Sequence, residues 1–280
     1  MTGAALLVTG AAGRLGHLLR LHWPDGVAGL VPLWTARRAG PGVLPWHIGQ
    51  QDAPPLPPGS IVLHLAAELR GEPGHLARNA PITAEVCAAA RQAAGRHVFV
   101  ASSAAVYRPG PDDLCESTPP DPVNPYGAAK LAAEQAALRE MSDPDAPGLT
   151  ILRIGNVAGA DALLGRTGPA TLDPVAGQIG GPLRSYIGPG RLARVLEALI
   201  TQAAAGQPLP QILNIAEPGV VAMADLLTAA GRKWQFGPPQ RCTVPRVGLD
   251  SARLRRLVAL PPATAEGIVA DLAQLQGRWP

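Results

Sequence analysis

The sequence predicts an α/β fold, a doubly wound parallel sheet wrapped by helices, with a small C-terminal lobe. Three observations predict it. Short apolar runs alternate with helical patterns through the first half, as consecutive βα units do. Those runs lack polar alternation, which suits strands covered by helices on both faces. At 280 residues the chain is also long enough for one such domain with an appended lobe.

Taken in order, the first strand is Ala4–Val8. It runs into Thr9-Gly10-Ala11-Ala12-Gly13-Arg14-Leu15-Gly16 and then an apolar helix, Arg14–Leu21. Glycines permit a tight turn and close backbone approach, and a helix N-terminus offers N–H groups and a positive dipole end to a pyrophosphate. The spacing is Gly-x-x-Gly-x-x-Gly. Placed at the first strand–helix junction, it predicts a Rossmann-type dinucleotide site with Gly10, Ala12, Gly13, Arg14, Leu15 and Gly16 as candidate contacts.

The next strands are expected at Gly29–Trp34, Val43–Ile48, Ile61–Leu65, His97–Ala101, Thr150–Ile154 and Ile212–Ile215. Helices are expected at His75–Ala94, Pro125–Met141, Leu192–Ala205, Met223–Ala230 and Thr264–Leu275. Proline- and glycine-rich stretches at 40–59, 108–125 and 165–182 read as loops. The expected division is a dinucleotide-binding domain over 1–160, to which a strand and helix from about 188–220 return, and a substrate lobe from 161–187 and 221–280.

Composition narrows the function. Residues 1–180 carry 13 basic and 15 acidic side chains, whereas residues 181–280 carry 11 and 6. The basic excess is scattered rather than striped with aromatics, so no nucleic acid is expected and an anionic small molecule suits it better. No apolar stretch has the length of a membrane span, and residues 1–10 lack a charged-then-apolar leader, so no membrane partner is expected. Cys87, Cys115 and Cys242 are odd in number and lack metal-ligand spacing, which reads as thiols in a reducing cytoplasm and no metal site.

A scarce pair then falls together. The chain has three tyrosines and two lysines, yet Tyr126 and Lys130 lie four apart in a helical stretch. Chance would produce a Tyr-x-x-x-Lys match roughly 2% of the time. That spacing puts phenol and ammonium on one helix face, where both can reach one reacting atom.

With the glycine loop and this pair, the chain resembles the extended short-chain dehydrogenase/reductases, the family of nucleotide-sugar epimerases, dehydratases and reductases. His64-Leu65-Ala66-Ala67 resembles the family's fourth-strand end, and Asn79-x-x-x-Thr83 the start of the following helix. Ser102-Ser103-Ala104-Ala105-Val106-Tyr107 resembles the fifth-strand motif, with Ser103 as its active hydroxyl. Leu152-Arg153-Ile154-Gly155-Asn156-Val157 resembles the segment entering the substrate site. Arg184-Ser185-Tyr186-Ile187 resembles the motif carrying a diphosphate-binding arginine, and Leu249-Asp250-Ser251-Ala252-Arg253-Leu254 the segment before the last helices.

The resemblance implies catalysis by Ser103, Tyr126 and Lys130. Tyr126 would be the general acid/base, its pKa lowered by Lys130 and the oxidised nicotinamide, and Ser103 would hydrogen-bond the same substrate oxygen. Leu65, Ala66, Ala67, Asn79, Tyr126 and Lys130 would touch the cofactor, and Ser103, Asn156, Arg184 and, less well aligned, Arg241 the substrate. A homodimer through the 75–94 and 125–141 helices is also implied, with Ala128, Ala129, Ala132, Ala133, Ala136 and Ala137 allowing close approach.

Three departures shape the expected function. Ala104 and Ala105 replace the Asp-Glu pair of the family's sugar 4,6-dehydratases, which disfavours water elimination. The second strand ends in Arg37 and Arg38 rather than an acid, so NADP is expected, with NAD possible. Gly188-Pro189-Gly190-Arg191 replaces the usual His-Val-x-Asp, a rebuilt loop. The expectation is an NAD(P)-dependent oxidoreductase or epimerase moving hydride at a sugar hydroxyl or carbonyl, on a nucleotide sugar. The alternatives are an NADP-dependent reductase or dehydrogenase of a smaller carbonyl or sugar acid, and a catalytically silent NADP-binding sensor.

Overall fold

The computed structural model describes residues 4–69, 73–239 and 244–275. They form two compact units. The first holds the residues up to Val106, Pro120–Arg153 and Leu196–Leu213; the second holds Tyr107–Pro119, Ile154–Val195 and the residues from Asn214 on. The returning segment is thus shorter than expected, and 107–119 and 154–160 go with the lobe.

The first unit is built on β1 (Leu6–Thr9), α1 (Arg14–His22), β2 (Pro32–Ala36), β3 (Leu44–Pro45), β4 (Ile61–His64), α2 (Pro73–Leu76), α3 (Asn79–Gln92), β5 (His97–Ser103), α4 (Pro125–Glu140) and β7 (Gly148–Ile154); the intervening β6 (Asp113–Leu114) belongs to the other unit. Together with β12 (Ile212–Ile215) the strands make a seven-stranded sheet ordered β12-β7-β5-β4-β1-β2-β3. The ladders from β3 through β5 are parallel. β1 and β4 are buried at every residue, as strands covered on both faces must be. The chain leaves β1 toward β2 and later returns to its other side as β4, so the strand order reverses at β1. That reversal opens a crevice at the strands' C-terminal ends, where the glycine loop sits.

Local chemistry explains the boundary shifts. Ala28 and Gly29 take φ of 53° and 74° and close a Val27–Leu30 turn, which delays β2 to Pro32. β3 shrinks to two residues because Pro45 has no N–H to extend a ladder. The helix expected over 75–94 divides, and α3 restarts at Asn79; Pro81 then falls in its first turn, where a missing N–H costs least. α3 and α4 pack together over a core including Leu7, Val62, Val86, Val98 and Ile151. Ala129, Ala133, Ala136 and Ala137 are buried within the chain itself; of the six alanines only Ala128 is exposed and Ala132 half-buried.

The second unit is made of short pieces that periodicity does not reveal: β6, β8 (Asn156–Val157), β9 (Ala170–Leu172), β10 (Leu183–Arg184), β11 (Tyr186–Ile187), β13 (Val221–Ala222), β14 (Trp234–Phe236) and β15 (Arg246–Leu249). β6 joins this unit because Asp113 and Leu114 pair in parallel with Gly248 and Leu249 of β15. α6 (Met223–Ala229) and α8 (Ala265–Ala273) cover a core of Leu163, Leu172, Tyr186, Leu226, Leu227 and Ile268, and α7 (Ala252–Arg255) is one turn. α5 (Pro189–Ala204) begins in this unit and ends in the first.

Candidate active site

The glycine loop is shaped by close backbone approach. Gly10 has φ 76°, and a Cβ there would lie 2.7 Å from the Ala66 nitrogen. A Cβ on Gly16 would strike the Gly10 carbonyl. Gly13 N donates to Gly10 O at 2.9 Å, and Ala11 N ties the loop to Thr35 O of β2 at 3.0 Å. No side chain caps α1 at Gly13, so its first turn, from Arg14 through Leu15 to Gly16, presents backbone to an anion, with Ala12 and Gly13 exposed beside it. Side chains at Gly10 or Gly16 would fill this cradle, so the residues present fit a dinucleotide pyrophosphate.

Beneath the loop runs a buried network. The Thr9 hydroxyl oxygen accepts from Leu65 N and Ala66 N, both at 3.2 Å, so its own proton goes to His64 Nδ1 at 2.8 Å. His64 therefore carries its hydrogen on Nε2 and donates it to Thr83 Oγ1 at 3.2 Å. Burial, and then the Lys130 charge, pulls the His64 pKa down to about 3. His64 is a neutral brace that sets the Leu65–Ala67 strip. Asn79 continues the bracing: its Oδ1 accepts from Glu68 N at 2.7 Å and its Nδ2 donates to Glu68 O at 3.0 Å. One of the two expected phosphate-binding arginines is already engaged. Arg37 Nη1 donates to Glu68 Oε1 at 2.9 Å, while Arg38 is exposed.

α4 is launched by Asn124, whose side chain accepts from Gly127 N at 2.8 Å, with Pro125 as first residue. A Cβ on Gly127 would collide with the Ala105 carbonyl, so the helix start lies directly on the turn after β5. This brings three predicted residues together. Ser103 and Tyr126 share a side-chain hydrogen bond, and Lys130 Nζ donates to Ala101 O at 2.8 Å. Burial pushes the Tyr126 phenol above its ordinary pKa, and the Ser103 bond only partly offsets it. The expected lowering involves Lys130 together with the oxidised nicotinamide, and burial works against it. Burial also pulls Lys130 down to about 8, against the opposing pull of Glu134.

In the second unit, Asn156 hydrogen-bonds Tyr186, and Arg184 acts on the same phenol through its charge. The Arg184 guanidinium donates to Leu183 O and Val244 O, each at 2.8 Å, and is half-buried. Tyr186 in turn donates to Asp161 Oδ2 at 2.6 Å. Arg241 lies outside the described residues. The rebuilt 188–191 loop is a helix cap supplied from afar: Asp271 Oδ2 accepts from Gly190 N at 2.7 Å and Arg191 N at 3.1 Å. Glu217 accepts from Gly188 N and Arg191 Nη1. Among the described residues no cluster of three His, Cys, Asp or Glu side chains is arranged to hold a metal ion, and no helix is long and apolar enough to cross a membrane.

Sequence reasoning missed Thr9, Glu68, Ser102, Glu134 and Arg153. Only Glu134 left a readable signal, being one further turn along the Tyr126–Lys130 face.

Residues 60–172 match the model of the NAD dependent epimerase/dehydratase family. Over 80 residues the chain is 49% identical to UDP-glucose 4-epimerase of Azospirillum brasilense, a match spanning 28% of this chain and 22% of that protein. The fold is that of UDP-glucose 4-epimerase from Brucella ovis in complex with NAD, at TM-score 0.78 and 19% identity over 98% of this chain and 99% of that one. MoeE5 in complex with UDP-glucuronic acid and NAD superposes at TM-score 0.73 and 23% identity, over 95% and 97%. Ser103, Tyr126 and Lys130, gathered at the β5–α4 junction, all lie within residues 60–172, the stretch that matches the NAD dependent epimerase/dehydratase model.

Proposed function

We propose that the protein is an NAD-dependent epimerase or oxidoreductase acting at a sugar hydroxyl or carbonyl of a nucleotide sugar of the UDP type. The observation that carries this is the Tyr126 phenol, hydrogen-bonded to Ser103 and one helical turn from the buried Lys130. The cofactor would lie on Gly10–Gly16 and along Leu65–Ala67, and its nicotinamide supplies a hydride acceptor and donor. Tyr126 takes or returns the proton of the reacting oxygen at its phenol oxygen. Ser103 donates to that same oxygen and holds it in line. Lys130 places a positive charge beside the phenol, which offsets the upward pull of burial once the phenolate forms.

NAD is supported as cofactor by the similar structures that hold it and by the Glu68 carboxylate already on Arg37; Arg38 supports weaker NADP binding. Arg184, with three N–H groups beyond its two backbone bonds, supports an anionic substrate. Ala104 and Ala105 beside Ser103 support redox or epimerase chemistry over elimination. The intact Ser103–Tyr126 contact favours an enzyme over a silent sensor. We also take the protein to be a cytoplasmic homodimer through the outer faces of α3 and α4, to be checked by scattering mass. The test of function is a panel of UDP-sugars, free sugars and sugar acids. Conversion of a UDP-sugar, lost in Tyr126→Phe with cofactor retained, is expected; turnover of free sugars alone would overturn the substrate class.

A further inference from the structure

Three consecutive residues of β5 are each tied to α4. Ala101 O accepts from Lys130 Nζ, the Ser102 hydroxyl donates to Glu134 Oε1, and Ser103 pairs with Tyr126. On the helix, Tyr126, Lys130 and Glu134 are spaced by four, so they share one face. Glu134 is 1% exposed, and Arg153 of β7, 3% exposed, grips it as a fork: Nε to Oε1 at 3.0 Å and Nη2 to Oε2 at 2.7 Å. Proton and hydride chemistry at Tyr126 uses neither Glu134 nor Arg153. Stability is a poor reason for the pair, because well-packed apolar side chains commonly serve a core as well as a desolvated ion pair does.

We propose that Glu134, forked by Arg153 and bonded by Ser102, is a positioning residue for the Tyr126–Lys130 pair: it fixes that helix face in register with the end of β5 and holds Lys130 as an ammonium. The surroundings of Lys130 single Glu134 out. From β5 the lysine meets the Ala101 carbonyl, and from β4 the neutral His64. From its own helix the Glu134 carboxylate acts on it through charge, and Arg153 of β7 is engaged by that same carboxylate. Burial leaves Lys130 with a pKa of about 8, close to neutral pH, and Glu134 is the charge that opposes the fall. Ser102 and Arg153 give the carboxylate a single orientation, so its field at Lys130 is constant.

The proposal rests on the Tyr126–Lys130 reading of the site, but its test needs no sugar. The chain has only Lys130 and Lys233, so 13C-lysine labelling in a Lys233→Arg background reports Lys130 alone by NMR. The titration of Lys130 is compared in this background, in Glu134→Gln, in Glu134→Asp and in the charge-balanced Glu134→Gln/Arg153→Gln, which leaves no stranded Arg153 charge if the single variant fails to fold. The Lys130 midpoint is expected to fall by roughly one pH unit or more in both Gln variants, and to stay near the parent in Glu134→Asp. An unchanged midpoint in the folded Gln variants would overturn the proposal and leave the ion pair a purely structural feature. Failure of UDP-sugar turnover, by contrast, would remove the substrate assignment and leave this titration standing.

Discussion

Asp271→Ala removes the side chain that caps the start of α5, and the resulting loss of stability follows from the hydrogen bonds that the carboxylate makes. The Asp271 carboxylate is 4% exposed and accepts from two N–H groups at the start of α5. Losing an N-terminal cap costs about 0.5–2 kcal/mol, and losing a partly buried negative charge from the dipole's positive end up to about 2 kcal/mol more. These overlap, because one carboxylate does both, so about 2–3 kcal/mol is expected. The Arg194 contact at 3.5 Å adds little, since that guanidinium is 62% exposed. At roughly 2–4 °C per kcal/mol, the melting temperature falls by about 5–10 °C. Asp271→Asn keeps one accepting oxygen and should lose about half as much. The assay is thermal unfolding followed by circular dichroism, with urea titration as a second axis. A melting temperature within about 1 °C of the parent for Asp271→Ala would refute the capping role.

Other outcomes follow from the same geometry. Glu68→Gln frees Arg37, so NADP should bind about tenfold more tightly while NAD changes little; equal Kd ratios in calorimetry would contradict that. Arg184→Ala should raise KM for a UDP-sugar strongly and lower kcat less, because a remote contact holds ground and transition states alike; kcat falling alone would count against it. His64 and His97 are pulled by burial to about 3 and about 4, below the ordinary 6.5. The unfolded chain therefore binds protons first, and stability carried by the neutral rings is present above pH 6.5 and lost as pH falls toward 4. The slope is about 1.4 kcal/mol per pH unit for each ring, so urea midpoints should drop over that window, and less in His97→Asn.

Much of the first unit was legible because its strands are continuous apolar runs and its turn residues are glycines. The positive φ at Gly10 and the contact of Gly127 with Ala105 are what those residue types require. The gathering of Tyr126 and Lys130 on one helix face was legible because helical spacing joins them locally. The second unit was not, since strands of two to four residues such as β6 and β10 carry no period and are defined by partners far along the chain. Long-range polar pairs were equally hidden. Nothing near Gly188 announces Asp271, and nothing near Arg37 announces Glu68. The direction of the Tyr126 shift also depended on burial, which spacing does not measure.

The most direct measurement is stopped-flow absorbance of the reduced nicotinamide when the NAD-loaded protein is mixed with a UDP-sugar. Parent protein should show a transient or net rise in reduced cofactor, and Tyr126→Phe should show a rise slowed by at least about a hundredfold while retaining NAD by mass spectrometry. Equal rates in parent and Tyr126→Phe would contradict the account, because Tyr126 would then not be the group that moves the proton.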